Sequence, residues 1–430
     1  MEIKFLKSKL CHATFIEQIK NRQERIHAWL QSQETIKELP LYSSVDIRDA
    51  GFKIAVVDTN LFPAGFNNLC EHGLADSVGL MRQAILKRVP NCERILIVAE
   101  EHTRNTWYLE NIRILQQIIE KAGFNVRIAT FLSIQPAFCE SANAVELETA
   151  TGQTVKIHCF KRILTNLEAD REDIDLIILN NDLTTGIPEI LQNSKIPIYP
   201  SLQAGWHVRH KSYHFAYAQE LLNEFGRIIE FDPWLFSCLF SVVDHVNINQ
   251  EKDRYKLKNA TSDLFKKIER KYKEHGITEK PYIFVKSDSG TYGMGILPIE
   301  DPNDIVNLNR KDKNKLYKGK SAQIISRYLL QEGVPTIYSV DEQVSEVCVY
   351  QIENNLVGGF YRSHAQKTGR ESLNTQGMDF KKICPHLKKY GDDELHPDMN
   401  IFDVYRILGR IAAVAAHREI INLEAKKDKQ

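Results

Sequence analysis

The chain has 430 residues, more than a single hydrophobic core usually holds, so two or three packed units are expected. Its 43% hydrophobic and 26% charged residues are ordinary for a globular protein and argue against a disordered chain. Lys plus Arg and Asp plus Glu number 56 each, so no net charge attracts nucleic acid or an anionic membrane surface, and neither is expected as a partner.

Apolar runs and cysteines set the expected cellular context. The longest apolar runs, 95–99 and 411–416, fall short of the roughly 20 residues that span a bilayer, so no membrane span is predicted. The first residues show no secretory apolar region, and a cytoplasmic location is expected. The 8 cysteines show neither C-x-x-C nor a Cys/His spacing typical of zinc, and we interpret them as reduced, mostly buried thiols. Whether the chain forms a homo-oligomer stays open.

The first 200 residues change in pattern once. Residues 1–50 are mostly polar, and apolar residues near helical spacing between 15 and 36 predict a helical N-terminal segment. Short apolar runs separated by helical segments then predict an α/β substrate-side domain over 51–200, with a parallel sheet covered on both faces. One helix is predicted from Asn105 to about 122, where Gly123 ends it. The predicted strands are KIAVVD, RILIVAE, NVRIAT and DLIILNN.

Polar residues follow two of these strands. Ligands of parallel sheets bind outside the carboxyl ends of the strands. Asp58 and Asn60 at the end of KIAVVD, and Arg104 and Asn105 after RILIVAE, are therefore candidates for substrate recognition. The alternative is that Asp58 and Asn105 only cap the segments that follow them.

A second domain is predicted over 201–430. It opens with GWHVRHKSYHF (205–215), a dense mixture of aromatic and basic residues that could lend cations such as Lys211 to a cleft between domains.

A glycine-rich loop is the sharpest feature of this half. An apolar strand, 282–285, ends in a lysine; a loop with three glycines follows, and an apolar strand resumes at Ile296. Glycines let backbone N–H groups approach an anion closely, which predicts a hairpin that covers phosphate groups. The loop is neither a Walker A motif nor a dinucleotide fingerprint, since no G-K-[ST] closes it and no helix follows it. A plain hairpin is the alternative. The candidate phosphate ligands are Lys286, Ser289, Gly290, Gly293, Met294 and Gly295.

Two further segments complete the pattern. The apolar strand 322–330 ends in a polar turn whose backbone groups could bind an adenine edge. That turn runs from Gln331 to Thr336. A hairpin then joins 346–352 to 356–362, and a turn centred on Asn354 predicts four residue pairs. They are Ile352–Leu356, Tyr350–Gly358, Cys348–Phe360 and Glu346–Arg362.

The last of these pairs is either catalytic or a structural salt bridge. In the loop 363–380, Arg370 could hold phosphate, and Glu371 and Asn374 could offer oxygen ligands to magnesium.

Taken in order, these motifs resemble the ATP-grasp superfamily, and more closely the bacterial glutamate-cysteine ligase family. The resemblance extends from Lys53 to Phe380. It implies an α/β fold in which a parallel-sheet, pre-ATP-grasp-like domain precedes an ATP-grasp domain. The motifs that carry the resemblance are VDTNLFPAGFNNL, EEHTRN, LNNDL, GWHVRHKSYHF, VKSDSGTYGMGI, QEGVPT, EVCVYQI, GGFYR and ESLNTQGM.

The resemblance also implies a reaction. ATP would phosphorylate the γ-carboxylate of glutamate, and the amine of cysteine would displace the phosphate, which is the first step of glutathione synthesis. Lys286, Arg362 and Arg370 would neutralise charge in the transition state. Alternatives are an ATP-grasp ligase for another carboxylate and amine, and a regulatory protein that binds nucleotide without chemistry.

The resemblance implies ATP and Mg²⁺ as cofactors. The implied nucleotide ligands are Lys211, the glycine-loop candidates named above, and the adenine-turn residues Gln331, Glu332 and Val334. The implied metal ligands are Glu346, Glu371 and Asn374.

Overall fold

The computed structural model describes residues 3–5, 10–34, 39–101, 104–131, 144–163, 173–290, 295–317, 324–384 and 401–427. The helices are α1 (Leu10–Asn21), α2 (Gln23–Gln33), α3 (Glu71–Arg88), α4 (Thr106–Lys121), α5 (Glu189–Gln192), α6 (Lys211–Ile229), α7 (Glu251–Glu274), α8 (Arg310–Tyr317) and α9 (Ile401–Lys427).

The strands form three sheets. They are β1 (Ile3–Phe5), β2 (Tyr42–Asp49), β3 (Ile54–Asn60), β4 (Arg94–Ala99), β5 (Asn125–Thr130), β6 (Ala144–Glu148), β7 (Thr154–Cys159), β8 (Leu176–Asn180), β9 (Ile198–Tyr199), β10 (Phe240–Val243), β11 (Ile283–Ser287), β12 (Leu297–Ile299), β13 (Tyr328–Glu332), β14 (Tyr338–Val340), β15 (Gln343–Ile352), β16 (Asn355–His364) and β17 (Met378–Ile383).

The predicted parallel sheet is present, which confirms the α/β class. Six strands lie in the order β6-β7-β5-β4-β8-β9, and every neighbouring pair except β6 and β7 is parallel. All five residues of β8 are buried, as expected for a strand covered on both faces. The predicted helix is α4, which begins after Asn105, and Gly123 follows its end with a φ of 96°.

A seven-stranded antiparallel sheet contains three strands that were assigned differently from the sequence. The helical prediction for residues 1–50 is right for α1 and α2 but wrong for 3–5, which form β1, and for 42–49, which form β2 between β3 and β15. The strand KIAVVD was expected in the parallel sheet, but β3 pairs antiparallel with β2. Burial explains the error at β3, because a strand covered on both faces shows an apolar run whichever way its neighbours point.

The predicted hairpin forms from β15 and β16. The predicted pair Ile352–Leu356 is wrong, because Ile352 faces Asn355. The turn is one residue shorter than predicted, and Val357 is left between two pairs as a β-bulge beside Gly358, whose φ is 147°. The three confirmed pairs are Tyr350–Gly358, Cys348–Phe360 and Glu346–Arg362.

A four-stranded antiparallel sheet, in the order β10-β13-β11-β12, completes the second half. One hydrophobic core joins this sheet to α6 and α9 and to the inner face of the seven-stranded sheet. Arg209, just before α6, donates two hydrogen bonds to Glu419 of α9, and both side chains are only 1% exposed. A buried pair of this kind fixes α6, and therefore Lys211 at its first residue, against the rest of the fold.

The thiol prediction is wrong at one position. Cys159 is disulfide-bonded, whereas five described cysteines are free thiols. Among the helices that the structure describes, none is long and apolar enough to cross a membrane.

Candidate active site

A cavity lies between the four-stranded and seven-stranded sheets, and we call it the inter-sheet cavity. The cavity is lined by Asp46 and Arg48 on β2 and by Phe284 on β11, together with many of the predicted site residues. On β2 the two lining residues are two positions apart, as expected for side chains on one face of a strand. The predicted site residues that line the cavity are Asp58, Lys211, Lys286, Ser289, Gly290, Gln331, Glu332, Val334, Glu346, Arg362 and Asn374.

Lys286 is a buried cation at the end of β11. It is 7% exposed, and its hydrogen bond to the Val57 carbonyl oxygen is long, at 3.4 Å. Burial lowers the pKa of Lys286 to about 8, although the nearby Asp58 carboxylate favours the charged form. An anionic ligand in the cavity would offset the cost of burying this charge.

Asp58 and Lys211 form an ion pair beside Lys286. The Lys211 ammonium lies 2.6 and 2.8 Å from the two oxygens of Asp58. Burial raises the pKa of Asp58, but Lys211 and Lys286 outweigh burial and bring that pKa to about 2. Asp58 is therefore a carboxylate at neutral pH, and it is not acting as a helix cap.

Two arginines and two carboxylates form the opposite side of the cavity. Arg362 donates to Asp46 at 2.9 and 3.2 Å and to Glu346 at 2.7 Å, and Arg48 also pairs with Glu346. Burial raises the pKa of Glu346, but the two guanidinium groups outweigh it and lower that pKa. The predicted Glu346–Arg362 pair is therefore part of a four-residue network that no pairwise sequence argument shows.

The predicted strand 322–330 is β13, which begins at Tyr328 and extends through Gln331 and Glu332, so these two residues lie in the strand and not in the turn after it. Glu332 accepts hydrogen bonds from Lys53 at 3.0 Å, from the Trp234 indole at 3.0 and 3.2 Å, and from the Leu239 backbone at 2.9 Å. Its carboxylate is therefore committed to the fold, and its backbone N–H donates to the Leu239 carbonyl oxygen at 2.8 Å. Gln331 instead has a buried Oε1 with no hydrogen-bond partner among the described residues, so it can accept from an amino group.

A second cavity adjoins the first, and we call it the strand-end cavity. It lies where the carboxyl ends of β4 and β8 meet β15 and β16, and Asn60 lines it as predicted. Arg362 and Asn374 line both cavities. Other side chains of this cavity are Asn68, Glu100, Tyr108, Asn180, Asp182, Tyr350 and Phe380.

Some predicted site residues lie elsewhere. Arg370 stacks over the Tyr282 ring, 4.2 Å from its centroid, and binds Glu300 and the Lys280 carbonyl oxygen. Arg104 is exposed, and Asn105 caps α4 by accepting from the Tyr108 N–H. These three residues line neither cavity, so the geometry does not support a catalytic role for Arg370 or substrate recognition by the other two.

The other three predicted positions belong to the second half of the glycine loop. Gly295 is described but lies outside both linings, and its φ of 67° fits its place in the glycine loop. Gly293 and Met294 lie outside the described residues.

Two of the three predicted magnesium ligands, Glu346 and Asn374, line the inter-sheet cavity, and Glu371 does not. Both oxygens of Glu371 accept hydrogen bonds from Lys367 and Thr368, and this side chain lines neither cavity. Asp46, Glu346 and Asn374 line the inter-sheet cavity and offer carboxylate and amide oxygens, the donors that Mg²⁺ prefers. Asp46, Glu346 and Asn374 would therefore hold a magnesium ion, and Asp46 and Glu346 would exchange hydrogen bonds from Arg362 and Arg48 for the metal.

Asp46 and Arg48 were not predicted as site residues from the sequence. Both lie on β2, where Val45 and Ile47 alternate with these two charged residues. That period of two is the signal of a strand with one apolar face, and it could have found both residues.

Comparison with known proteins decides the family. A family model described as glutamate-cysteine ligase matches residues 17–420. The chain belongs to the glutamate-cysteine ligase family. The predicted resemblance is confirmed, and a member of this family is a ligase.

The family assignment agrees with a solved structure. A Methylobacillus flagellatus KT protein, provisionally assigned as a gamma-glutamylcysteine synthetase, is 35% identical with a TM-score of 0.85, covering 98% of this chain and 99% of that chain. No curated protein matches.

Two other solved structures are much less similar. D-alanyl-alanine synthetase A from Vibrio cholerae O1 biovar eltor is 12% identical with a TM-score of 0.33, covering 74% of this chain and 81% of that chain. A glutathione synthetase-like effector from Globodera pallida is 9% identical with a TM-score of 0.34, covering 86% and 79%. Both TM-scores are too low to carry an argument.

Proposed function

We propose that the protein is an ATP-dependent ligase of the ATP-grasp type that joins the γ-carboxylate of glutamate to the amine of cysteine, the first step of glutathione synthesis. Family membership supports the substrates. The observation that carries the mechanism is that the inter-sheet and strand-end cavities share Arg362 and Asn374. A phosphoryl donor in one cavity and an amino acid in the other would meet at these two side chains.

The nucleotide belongs in the inter-sheet cavity. Lys286 and Lys211 provide cations for phosphate oxygens, and the backbone after β11 provides N–H groups around Gly290. Gln331, whose amide donates to the same Val57 carbonyl oxygen as Lys286, and the backbone of Val334 would accept from and donate to the adenine edge. The ion pair between Lys53 and Glu332 keeps the end of β13 fixed while the base is bound.

The amino acid belongs in the strand-end cavity. Its carboxyl-end residues from β4 and β8 are polar, and Asn60 and Asn68 add amide groups that suit an amino acid's ammonium and carboxylate. The γ-carboxylate would point toward Arg362. This placement leaves the reacting oxygen next to the inter-sheet cavity.

Catalysis then consists of positioning and charge neutralisation. Arg362, held by Asp46 and Glu346, presents its guanidinium at the junction, where negative charge develops on the phosphoryl group and later on the tetrahedral intermediate. The Lys286 ammonium stabilises negative charge on the transferred phosphoryl group. When bound, Mg²⁺ would screen phosphate charge, with Asp46, Glu346 and Asn374 as its oxygen ligands.

The test is a measurement of ADP release. The full chain is supplied with ATP, Mg²⁺ and pairs of amino acids, and the product is identified by mass. ADP release that requires glutamate and cysteine together, with γ-glutamylcysteine formed, supports the proposal. Equal ADP release with another carboxylate or amine, or ATP binding without ADP from any pair, overturns it. The cytoplasmic location and the homo-oligomer stay predictions.

A further inference from the structure

A cluster of two thiols and one imidazole lies outside both cavities. Cys70 precedes α3, His72 lies in the first turn of α3, and Cys384 follows β17 directly. One ligand atom from each side chain lies within 4.8 Å of the other two. The cluster joins two parts of the chain that are more than 300 residues apart, so the missing sequence spacing for zinc did not exclude it.

We propose that Cys70, His72 and Cys384 bind a thiophilic divalent cation, with Zn²⁺ the best match. Tetrahedral zinc with a Zn–S distance of about 2.3 Å and a Zn–N distance of about 2.0 Å places sulfur and nitrogen about 3.5 Å apart. The Cys384 Sγ and His72 Nδ1 atoms are 3.7 Å apart. Two thiolates and an imidazole form a donor set that selects zinc over magnesium or calcium.

Exposure of the three residues fits a site that is loaded from solvent. Cys384 is buried, Cys70 is partly buried and His72 is exposed. The metal would therefore rest on a buried thiolate and keep its fourth position open on the side of His72. Three protein ligands with one open position is the arrangement of an exchangeable or reactive zinc site rather than a closed structural one.

The scaffold around the cluster is rigid. The Gly73 N–H donates to the Cys70 sulfur at 3.4 Å, which is the kind of hydrogen bond that orients a metal ligand. Gly73 also packs directly on β16, since a Cβ there would come within 2.1 Å of the Val357 carbonyl oxygen. The start of α3 is thus held against the same sheet that carries Cys384.

The position of the cluster suggests an effect on the proposed amino-acid site, and this step rests on the proposed function. Asn68 lies two residues before Cys70, and Phe380 lies four residues before Cys384; both line the strand-end cavity. A metal that joins Cys70 to Cys384 would join two walls of that cavity. We expect metal loading to lower the KM for the amino acid while leaving the KM for ATP unchanged.

The binding test uses the full chain without ATP or amino acids, so its outcome does not depend on ligase activity. The metal-free protein is titrated with Co²⁺ as a spectroscopic probe, and Zn²⁺ is then added to displace it. Wild-type protein should bind one equivalent with a thiolate-to-cobalt charge-transfer band. Cys384→Ser and His72→Gln should lose or weaken that band, and Cys92→Ala and His27→Gln serve as matched controls.

A second measurement keeps the proposal testable if a variant fails to fold. In wild-type protein, Zn²⁺ should protect Cys70 and Cys384 from alkylation, as mapped by peptide mass, but should not change the labelling of Cys92. No bound equivalent in the wild type, or unchanged labelling of Cys70 and Cys384 with Zn²⁺, overturns the proposal. A Cys70–Cys384 disulfide that forms in air and persists in the presence of Zn²⁺ also overturns it, in favour of a redox pair.

Discussion

Lys211 donates hydrogen bonds to both carboxylate oxygens of Asp58, and this pair joins the first turn of α6 to the end of β3. Lys286 faces the same cavity. Two cations and one carboxylate leave one positive charge on this side of the inter-sheet cavity. A site of this sign attracts a polyphosphate, and Asp58 keeps Lys211 in place until the phosphate arrives.

Replacing Lys286 with Met should remove most turnover. The change keeps the length of the side chain but leaves the transferred phosphoryl group without a nearby cation. Loss of one well-placed charge-stabilising group costs on the order of 3 kcal/mol, or ~100-fold in kcat. Steady-state ADP release measures it. Lys266→Met, on an exposed side chain of α7, is the control, and a kcat near that of the wild type in Lys286→Met would contradict the assignment.

Lys286 should also make nucleotide binding depend on pH. Because burial lowers its pKa to about 8, the unliganded protein loses this charge as the pH rises through 8. A bound phosphate favours the ammonium form, so binding of a non-hydrolysable ATP analogue above that pH should take up a proton. Calorimetry in two buffers of different ionisation enthalpy measures the uptake. Lys286→Arg stays charged, so uptake of the same size in this variant would rule out Lys286 as the source.

The lowered pKa of Lys286 also makes the free energy of unfolding depend on pH. Between pH 8 and the ordinary lysine pKa, the unfolded chain binds more protons at this position than the folded chain does. The contribution of Lys286 to the free energy of unfolding therefore rises with pH across this interval. The buried charge is a cost below pH 8, which fits a site that is completed by an anion.

The two predicted catalytic arginines should behave differently. Arg362 lies at the junction of the cavities, whereas Arg370 lies on the Tyr282 ring and lines neither cavity. Arg362→Lys keeps the charge but loses the fork that holds Asp46 and Glu346, so we expect kcat to fall ~100-fold, the scale of a lost transition-state donor. Arg370→Lys is the matched control and should retain most of its kcat. Equal losses in the two variants would show that the loop carrying Arg370 closes over the substrate.

The sequence predicted those features that depend only on residues close together in the chain. The glycine loop, the lysine before it and three of four hairpin pairs follow from alternation and turn chemistry within about 20 residues. The error in the hairpin arose at the turn, where a bulge at Val357 absorbed one residue. Such a bulge depends on packing against the start of α3, which the hairpin sequence does not contain.

Long-range pairing could not be predicted in the same way. Asp46 reaches the site because β2 pairs with β15, about 300 residues further along the chain. Arg370 has the composition of a phosphate ligand, but Glu300 and Tyr282 hold it elsewhere. Residue type predicted which side chains suit the chemistry, and only the fold determines which of them share a cavity.

The buried Lys53–Glu332 pair gives the last prediction. Both side chains are 0% exposed, the Nζ–Oε1 distance is 3.0 Å, and the Lys53 ammonium lies 3.8 Å from the centroid of the Trp234 ring. Lys53→Met leaves a buried carboxylate that the Trp234 and Leu239 N–H groups only partly satisfy. Breaking one side of a buried pair costs about 3–5 kcal/mol.

Lys367→Met is the matched control, because Lys367 pairs with Glu371 at a partly exposed site where such a pair contributes about 0–1 kcal/mol. Urea unfolding followed by tryptophan fluorescence compares the two variants. Adding Glu332→Gln to Lys53→Met should recover part of the loss, since a neutral amide oxygen still accepts from Trp234. If the double variant is no more stable than Lys53→Met, the cost lies in lost packing around Lys53 and not in the unpaired charge.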